Sequence, residues 1–414
     1  MEDQMIETEV SPDRVILVGV QTDELGEDKF NYLMEEMVRL TETAGGEIVG
    51  EVTQKLPRPN NKTVIGKGKL EALAAQVELE EANLVIFLNS MSPNVNRTIE
   101  EELGVRVIDR VQLILDIFAM RAKSSAGKLQ VELAQYEYLL PRITGQGTSL
   151  SRLGGGIGTR GPGETKLETD RRHIRSRIGR IKKELKQLEA HRERTRERRQ
   201  SGRDFNIGFV GYTNAGKSTL LEGLTDSKTY VQDQLFATLD PLTRKMTIRG
   251  HNTFTLTDTV GFIEELPTEL IYAFKSTLEE IRDVDLLVHV VDASHPARDM
   301  HEDTVMNLLR ELKMDKIPML VVYNKKDCLN KDLFTPTLHP SILISACSNS
   351  DIHRLKELIW QSCIELAESY TVSVQPEESD LLALYHQKTL VESLEFDEVK
   401  ECYIVKGYRR TNHK

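Results

Sequence analysis

The eight residues Gly211-Tyr212-Thr213-Asn214-Ala215-Gly216-Lys217-Ser218 have the types and spacing of a phosphate-binding loop. An apolar run, Phe205 to Val210, precedes them, and a helix-like stretch, Thr219 to Leu224, follows. Strand, glycine-rich turn and helix in that order let consecutive backbone N–H groups converge on a triphosphate, and the helix N-terminus adds partial positive charge. Gly211 and Gly216 let the backbone curl without a side-chain clash. Lys217 is expected to reach the β- and γ-phosphates and the Ser218 hydroxyl to ligate Mg²⁺, with the loop as far as Thr219 lining the phosphates.

Three later motifs complete the site, and two of them choose the base. Asp258-Thr259-Val260-Gly261 closes an apolar strand, which places the Asp258 carboxylate to hold Mg²⁺ through water and the Gly261 N–H to report the γ-phosphate. Asn324-Lys325-Lys326-Asp327 has the N-K-x-D form. Its Asp327 can accept from the guanine N1–H and N2 amine, a pairing adenine cannot supply, and leaving that carboxylate unpaired is what would exclude ATP. Ser345-Ala346-Cys347 completes the set, with the Ala346 N–H available to guanine O6. Each motif alone is compatible with an ordinary strand-end turn; in this order at the ends of successive strands they point to a guanine nucleotide.

The elements that must position these residues follow from periodicity. From Phe205 to about Tyr370, strands are predicted at Phe205 to Val210, Lys245 to Ile248, Phe254 to Leu256, Leu286 to Val291, Met319 to Tyr323 and Ser341 to Ile344. Helices alternate with them near Lys217 to Leu224, Leu270 to Ile281, Asp299 to Leu312 and Asp351 to Glu368. The same alternation over residues 13–110 predicts a second, smaller parallel α/β domain. There Thr63-Val64-Ile65-Gly66-Lys67-Gly68-Lys69 is a Gly- and Lys-bearing turn entering a helix, compatible with an anion site and equally with a plain loop. The tail from Thr371 reads as a small α+β module. The fold class is therefore α/β, divided as 1–121 N-terminal α/β domain, 122–203 basic helical hairpin, 204–370 P-loop domain and 371–414 C-terminal module.

The hairpin is predicted from two apolar seams. Leu129, Leu133, Tyr136 and Leu140 form one, and Leu167, Ile174, Ile178, Ile181, Leu185 and Leu188 form a heptad-like second, antiparallel to the first. Between them lies a glycine-rich tip, Arg142 to Gly163. Net charge is −11, yet residues 160–203 hold sixteen Lys or Arg against seven Asp or Glu, so the rest of the chain carries about −20. A basic segment on an acidic body favours nucleic acid at one place. Arg142, Arg152, Arg160, Lys166, Arg171, Arg172 and Arg175 are the candidate RNA contacts, a solvated helix face being the alternative. Aromatic residues are missing from the tip, which argues against base stacking of single strands.

The four cysteines show neither C-x-x-C nor a paired His, and fit free thiols in a reducing cytoplasm. The acidic N-terminus does not resemble a signal peptide, and no apolar run approaches membrane-spanning length.

The ordered motifs resemble those of translation-factor-class GTPases. Gly161-Pro162-Gly163-Glu164-Thr165-Lys166-Leu167-Glu168, followed by Asp170-Arg171-Arg172 and Ile174, narrows the resemblance to the HflX family of ribosome-associated GTPases, which often has Gln where Lys166 stands. The resemblance covers nearly the whole chain and implies a GTPase with slow intrinsic turnover that ribosomes stimulate. Its implied partners are GTP, GDP and the large ribosomal subunit with its RNA, the glycine-rich loop reaching toward the peptidyl-transferase region. It also implies GTP-dependent splitting or recycling of stalled or idle ribosomes by a cytoplasmic monomer without a membrane span. A GTP-regulated RNA-binding scaffold, whose hydrolysis only resets the switch, is the alternative; an RNA-modification GTPase is disfavoured because no site for the modification chemistry is found.

Thr238 is the expected switch threonine that completes the Mg²⁺ shell, with Thr243 as runner-up. Phe262 follows Gly261, where Ras-like enzymes carry the Gln that orients water, so hydrolysis is expected to need the ribosome or another group. Asn214 matches the residue by which potassium-activated GTPases hold a monovalent cation, making K⁺ a candidate second cofactor beside Mg²⁺.

Overall fold

The structure, a computed structural model, describes residues 12–145, 162–200, 205–225, 235–236, 242–249, 252–259, 261–264, 282, 284–329 and 334–410. The chain divides into two compact units: Met1–Ala122 with Lys128–Lys183, and Lys123–Gly127 with Glu184–Lys414.

In the first unit, β1 (Arg14–Gln21), β2 (Glu47–Lys55), β3 (Leu84–Phe87) and β4 (Arg106–Asp109) form a parallel sheet in the order β2-β1-β3-β4. Val15 to Val18 and Leu84 to Phe87 are buried along their whole length, as a parallel sheet covered on both faces requires. Helices α1 (Glu27–Thr43), α2 (Lys67–Leu79), α3 (Pro93–Leu103) and α4 (Arg110–Arg121) connect the strands and follow the last of them. Their ends obey local chemistry. Ser92 Oγ accepts from Val95 N ahead of Pro93, and Gly104 closes α3 in the left-handed region at φ 68°. Asp109 caps α4 through Gln112 N.

Helix α5 (Ser125–Leu139) and helix α6 (Pro162–Gln200) are the predicted helical segment. Two ion pairs bring them side by side: Arg177 makes a bidentate pair with Glu132 at 2.7 Å, and Lys182 Nζ lies 2.8 Å from Glu137. Ile181 is fully buried between flanking half-buried Ile178 and Leu185. The buried face of α5 is wider than the predicted seam, adding Gln130, Val131, Ala134 and Tyr138 to Leu133. At the end of that face, Asp109 draws Tyr138 inward through a 2.8 Å hydrogen bond.

In the second unit, β5 (Phe205–Gly211), β6 (Leu242–Ile248), β7 (Asn252–Asp258), β8 (Leu286–Asp292), β9 (Met319–Asn324) and β10 (Ser341–Leu343) form a sheet in the order β10-β9-β8-β5-β7-β6. All neighbours are parallel except β6 and β7. Helices α7 (Lys217–Leu224), α8 (Arg298–Glu311) and α9 (Asn349–Glu365) accompany it. Phe205, Phe254, Trp360 and Leu355 fill the core, each such side chain contributing about 1.5–3 kcal/mol. A three-stranded antiparallel sheet follows, β11 (Ala367–Val374), β12 (Leu390–Asp397) and β13 (Cys402–Arg410) in the order β11-β13-β12, with α10 (Ser379–Lys388) between its first two strands. The helix expected to run to Glu368 stops at Glu365, because the alternating Ala367–Val374 pairs with β13 as a strand. The helix predicted at Leu270 to Ile281 lies outside the described residues.

Candidate functional site

Crossovers of a parallel sheet leave strand C-termini along one edge, and the motifs gather there. Gly211 ends β5, Asp258 ends β7, Asp292 ends β8 and Asn324 ends β9. The loop between β5 and α7 depends on two glycines. At Gly211, φ is 155° and a Cβ would lie 2.2 Å from the Val290 carbonyl oxygen; at Gly216, φ is 93° and a Cβ would meet Asn324 Nδ2 at 2.2 Å. Neither position admits a side chain.

Lys217 is buried, and its Nζ donates to the Gly211 and Tyr212 carbonyls at 3.0 and 2.8 Å. Burial pushes its pKa down to about 8, against the opposing attraction of Asp258. Ser218 Oγ donates to Asp258 Oδ2 at 2.8 Å, so hydroxyl and carboxylate, expected to share a metal, are in direct contact. Thr213 Oγ1 is buried without a hydrogen-bond partner among the described residues, and a Cβ on Gly261 would approach Lys217 Nζ to 3.1 Å. A cationic amine, an unsatisfied hydroxyl and a side-chain-free cradle fit phosphate oxygens. Hard oxygen donors on Ser218 and Asp258 fit Mg²⁺, which when bound neutralises charge on the phosphates. One adjoining donor behaves differently from expectation, and the residue it meets is apolar. The Thr213 N–H, counted among the phosphate ligands, donates to the Phe262 carbonyl at 2.8 Å. Phe262 itself is 2% exposed and packs with Val210, Leu287 and Val305, so its ring belongs to the core.

The two loops expected to read the base are stitched together by Asn324. Its Nδ2 donates to the Ala215 carbonyl at 3.0 Å, and its Oδ1 accepts the Ala346 N–H at 2.9 Å. The Ala346 donor assigned to guanine O6 is thus engaged with the nearest side-chain acceptor, which a base would share or displace. Lys325 takes the left-handed region at φ 62° and pairs with Asp292 at 2.8 Å. Burial alone would raise the Asp292 pKa, but Lys325 and Ser294 outweigh it and hold it low. Asp327 is exposed, and the Ser345 hydroxyl keeps its carboxyl below the usual carboxylate range, hence ionised and able to accept. Buried Asp351 was not anticipated: it accepts from Ser345 N at 3.0 Å, Arg354 at 3.1 Å and Lys326 at 3.4 Å, joining the two guanine loops. Its partners come together only through the fold, and locally Ser348-Asn349-Ser350-Asp351 has the form of an ordinary helix cap.

Among the candidate RNA contacts, Arg172 and Arg175 are exposed on α6, as are Arg180 and Lys183, and Arg171 is half-buried. Arg142 has a different task. It lies 3.3 Å over the Tyr138 ring and donates to Asp109 at 3.2 Å and to the Met91 and Tyr138 carbonyls at 3.0 Å. It is an anchor at the end of α5, because a buried carboxylate outcompetes solvent for its guanidinium. Arg152, Arg160 and Thr238 lie outside the described residues, as does the Lys166 side chain. Asn214 is exposed at φ 58°, and among the described residues no cluster of His, Cys, Asp or Glu has metal-binding form. No described helix is long and apolar enough to cross a membrane.

Comparison with known proteins matches three family profiles in succession. They are "GTP-binding GTPase N-terminal" over residues 31–119, "GTP-binding GTPase Middle Region" over 121–199 and "50S ribosome-binding GTPase" over 206–325. GTPase HflX of Alkalihalophilus pseudofirmus is 48% identical over 401 residues, covering 97% of this chain and 94% of the relative. GTPase HflX of Escherichia coli K12 is 39% identical over 373 residues, covering 88% and 87%. A solved GTP-binding protein from Sulfolobus solfataricus in complex with GDP is 27% identical, covers 85% of this chain and 99% of its own, and has a TM-score of 0.45. Identity at this level through sheet, basic helix and phosphate loop alike makes the chain a GTP-hydrolysing member of the HflX family of GTPases.

Proposed function

We propose that the chain is a ribosome-associated factor that binds the large ribosomal subunit and uses its GTP switch to split or recycle stalled or idle ribosomes in the cytoplasm. The observation that carries this reading is the exposed row Arg172, Arg175 and Arg180 on α6, in one chain with a GTP site. Exposed guanidinium groups along one helix suit the phosphates of folded RNA, whose shape and charge are read without base edges. The family matched over residues 206–325, the 50S ribosome-binding GTPases, supports the same reading. Phe262 offers no polar group to water, so the bound ribosome orders the switch segments or supplies one. Ser218 and, through water, Asp258 would hold Mg²⁺, with Thr238 completing the set in the GTP state, and the chain acts as a monomer. Asn214 holds K⁺ beside the phosphates; equal turnover in K⁺ and Na⁺ would remove that part of the reading.

The test is GTP turnover with and without large ribosomal subunits, for wild type and for Arg172→Ala/Arg175→Ala. Stimulation of wild type that the variant loses supports the reading. Tight RNA binding without stimulation would replace it with a GTP-regulated scaffold.

A further inference from the structure

A residue at the second position of a phosphate loop contributes backbone to the nucleotide, and its side chain is free for other work. Tyr212 is 4% exposed, and its ring stacks on the His301 imidazole of α8 with centroids 3.8 Å apart and planes 10° from parallel. Its Oη accepts the Glu264 N–H at 2.7 Å. On either side of it the main chain is tied to the same segment: Phe262 N–H donates to the Gly211 carbonyl at 3.1 Å, and Thr213 N–H to the Phe262 carbonyl at 2.8 Å. The Glu264 carboxylate accepts from Thr304 Oγ1, three residues after His301 on the same helix. Residues 262–264 are therefore fastened to the phosphate loop and to α8 at once, immediately after the glycine that senses the γ-phosphate.

Phosphate binding by backbone N–H groups gives no reason for an aromatic hydroxyl here, whereas holding the segment after Gly261 does. We propose that Tyr212 is a positioning residue for GTP hydrolysis: its hydroxyl and ring fix residues 262–264 so that the Gly261 N–H meets the γ-phosphate at one place. A donor already aimed where charge develops costs no reorganisation when the reaction occurs. This matters more in a GTPase whose Phe262 ring is committed to the core and cannot orient water.

Tyr212→Phe removes the hydroxyl and keeps the ring, its stacking and its volume. The expected result is a fall in kcat for GTP of about tenfold, with KM for GTP, the Kd for GDP and the melting temperature close to wild type, since GDP presents no γ-phosphate to Gly261. Thr304→Val loosens the same carboxylate from the helix side, and its loss should be less than additive with Tyr212→Phe because both act through Glu264. An unchanged or raised kcat in Tyr212→Phe would overturn the proposal. So would a loss in which GDP affinity and melting temperature fall alongside kcat, which makes Tyr212 a packing residue, and so would fully additive losses in the double variant, which place the two side chains on separate paths.

Discussion

Two glycine- and lysine-bearing turns enter helices in this chain, one in each parallel sheet, and they end in opposite states. In the turn before α7, the lysine is buried, bonded to two carbonyls and placed beside an aspartate. Before α2, the Lys67 side chain is 92% exposed and pairs with Glu71 one helical turn along at 3.9 Å. Around Gly216 a methyl group would strike Asn324, while around Gly68 nothing lies within 4 Å. The Gly66 N–H, which an anion would need, is taken by Gln54 Oε1 at 2.9 Å. A helix N-terminus becomes an anion site when its donors converge on a walled space and a cation is forced inward; composition alone does not achieve that.

The largest expected contrast between the two turns is in nucleotide affinity. Lys217→Ala should weaken GTP binding by about two to three orders of magnitude, as loss of one partner of a buried charge pair does. Lys67→Ala should leave titrations with a fluorescent GTP analogue unchanged, and equal losses would erase the distinction. Next in size is base selection, which the α2 turn lacks altogether. Asp327→Asn should cost guanine over adenine discrimination ~10–100-fold, measured as the ratio of GTP to ATP affinities.

Third comes pH. With a free-protein pKa of about 8, Lys217 loses its proton as pH rises past that value, whereas bound phosphate would favour the charged form. GTP binding must then take up a proton above pH 8, and affinity should fall about tenfold from pH 7 to pH 9. Calorimetry in buffers of different ionisation enthalpy would detect the uptake; its absence would mean that Lys217 is already charged at alkaline pH. Smallest is Gly68→Ala, which fills open space inside a helix and should stabilise the first unit by about 0.5–1 kcal/mol in thermal melting.

What could be read in advance follows the range of the interaction. The phosphate loop, the Asp258 turn and the N-K-x-D loop are short and local, and strand and helix periods around them were legible: α7 spans Lys217–Leu224 as predicted. The role of Arg142 depends on Asp109, 33 residues away, and its basic charge beside a glycine-rich stretch suggested RNA instead. Tyr212 and Asp351 were opaque for the same reason, since His301 and Lys326 reach them only through the fold. β11 was missed because a helical pattern ran up to it and its partner β13 comes some thirty residues later. The candidate RNA contacts Arg152 and Arg160 and the switch threonine Thr238, outside the described residues, remain the proposals they were in the sequence.

Asn252 has a consequence for anyone who cuts this chain into pieces. It begins β7, the strand that ends in Asp258, and its buried amide exchanges two 3.0 Å hydrogen bonds with the backbone of Val391. Leu390 joins the core under β7, and Arg410 meets Asp285 at 2.5 Å, offsetting part of the burial that raises the Asp285 carboxyl above the usual carboxylate range. A minimal nucleotide-binding fragment ending near residue 370 would strip all three partners away in one stroke, leaving the Asn252 amide without the Val391 backbone and the Asp285 carboxylate with the Asn206 N–H but without its cation. Such a fragment would aggregate or bind GTP poorly for reasons unrelated to its phosphate loop, so the shortest useful piece keeps the tail through Arg410.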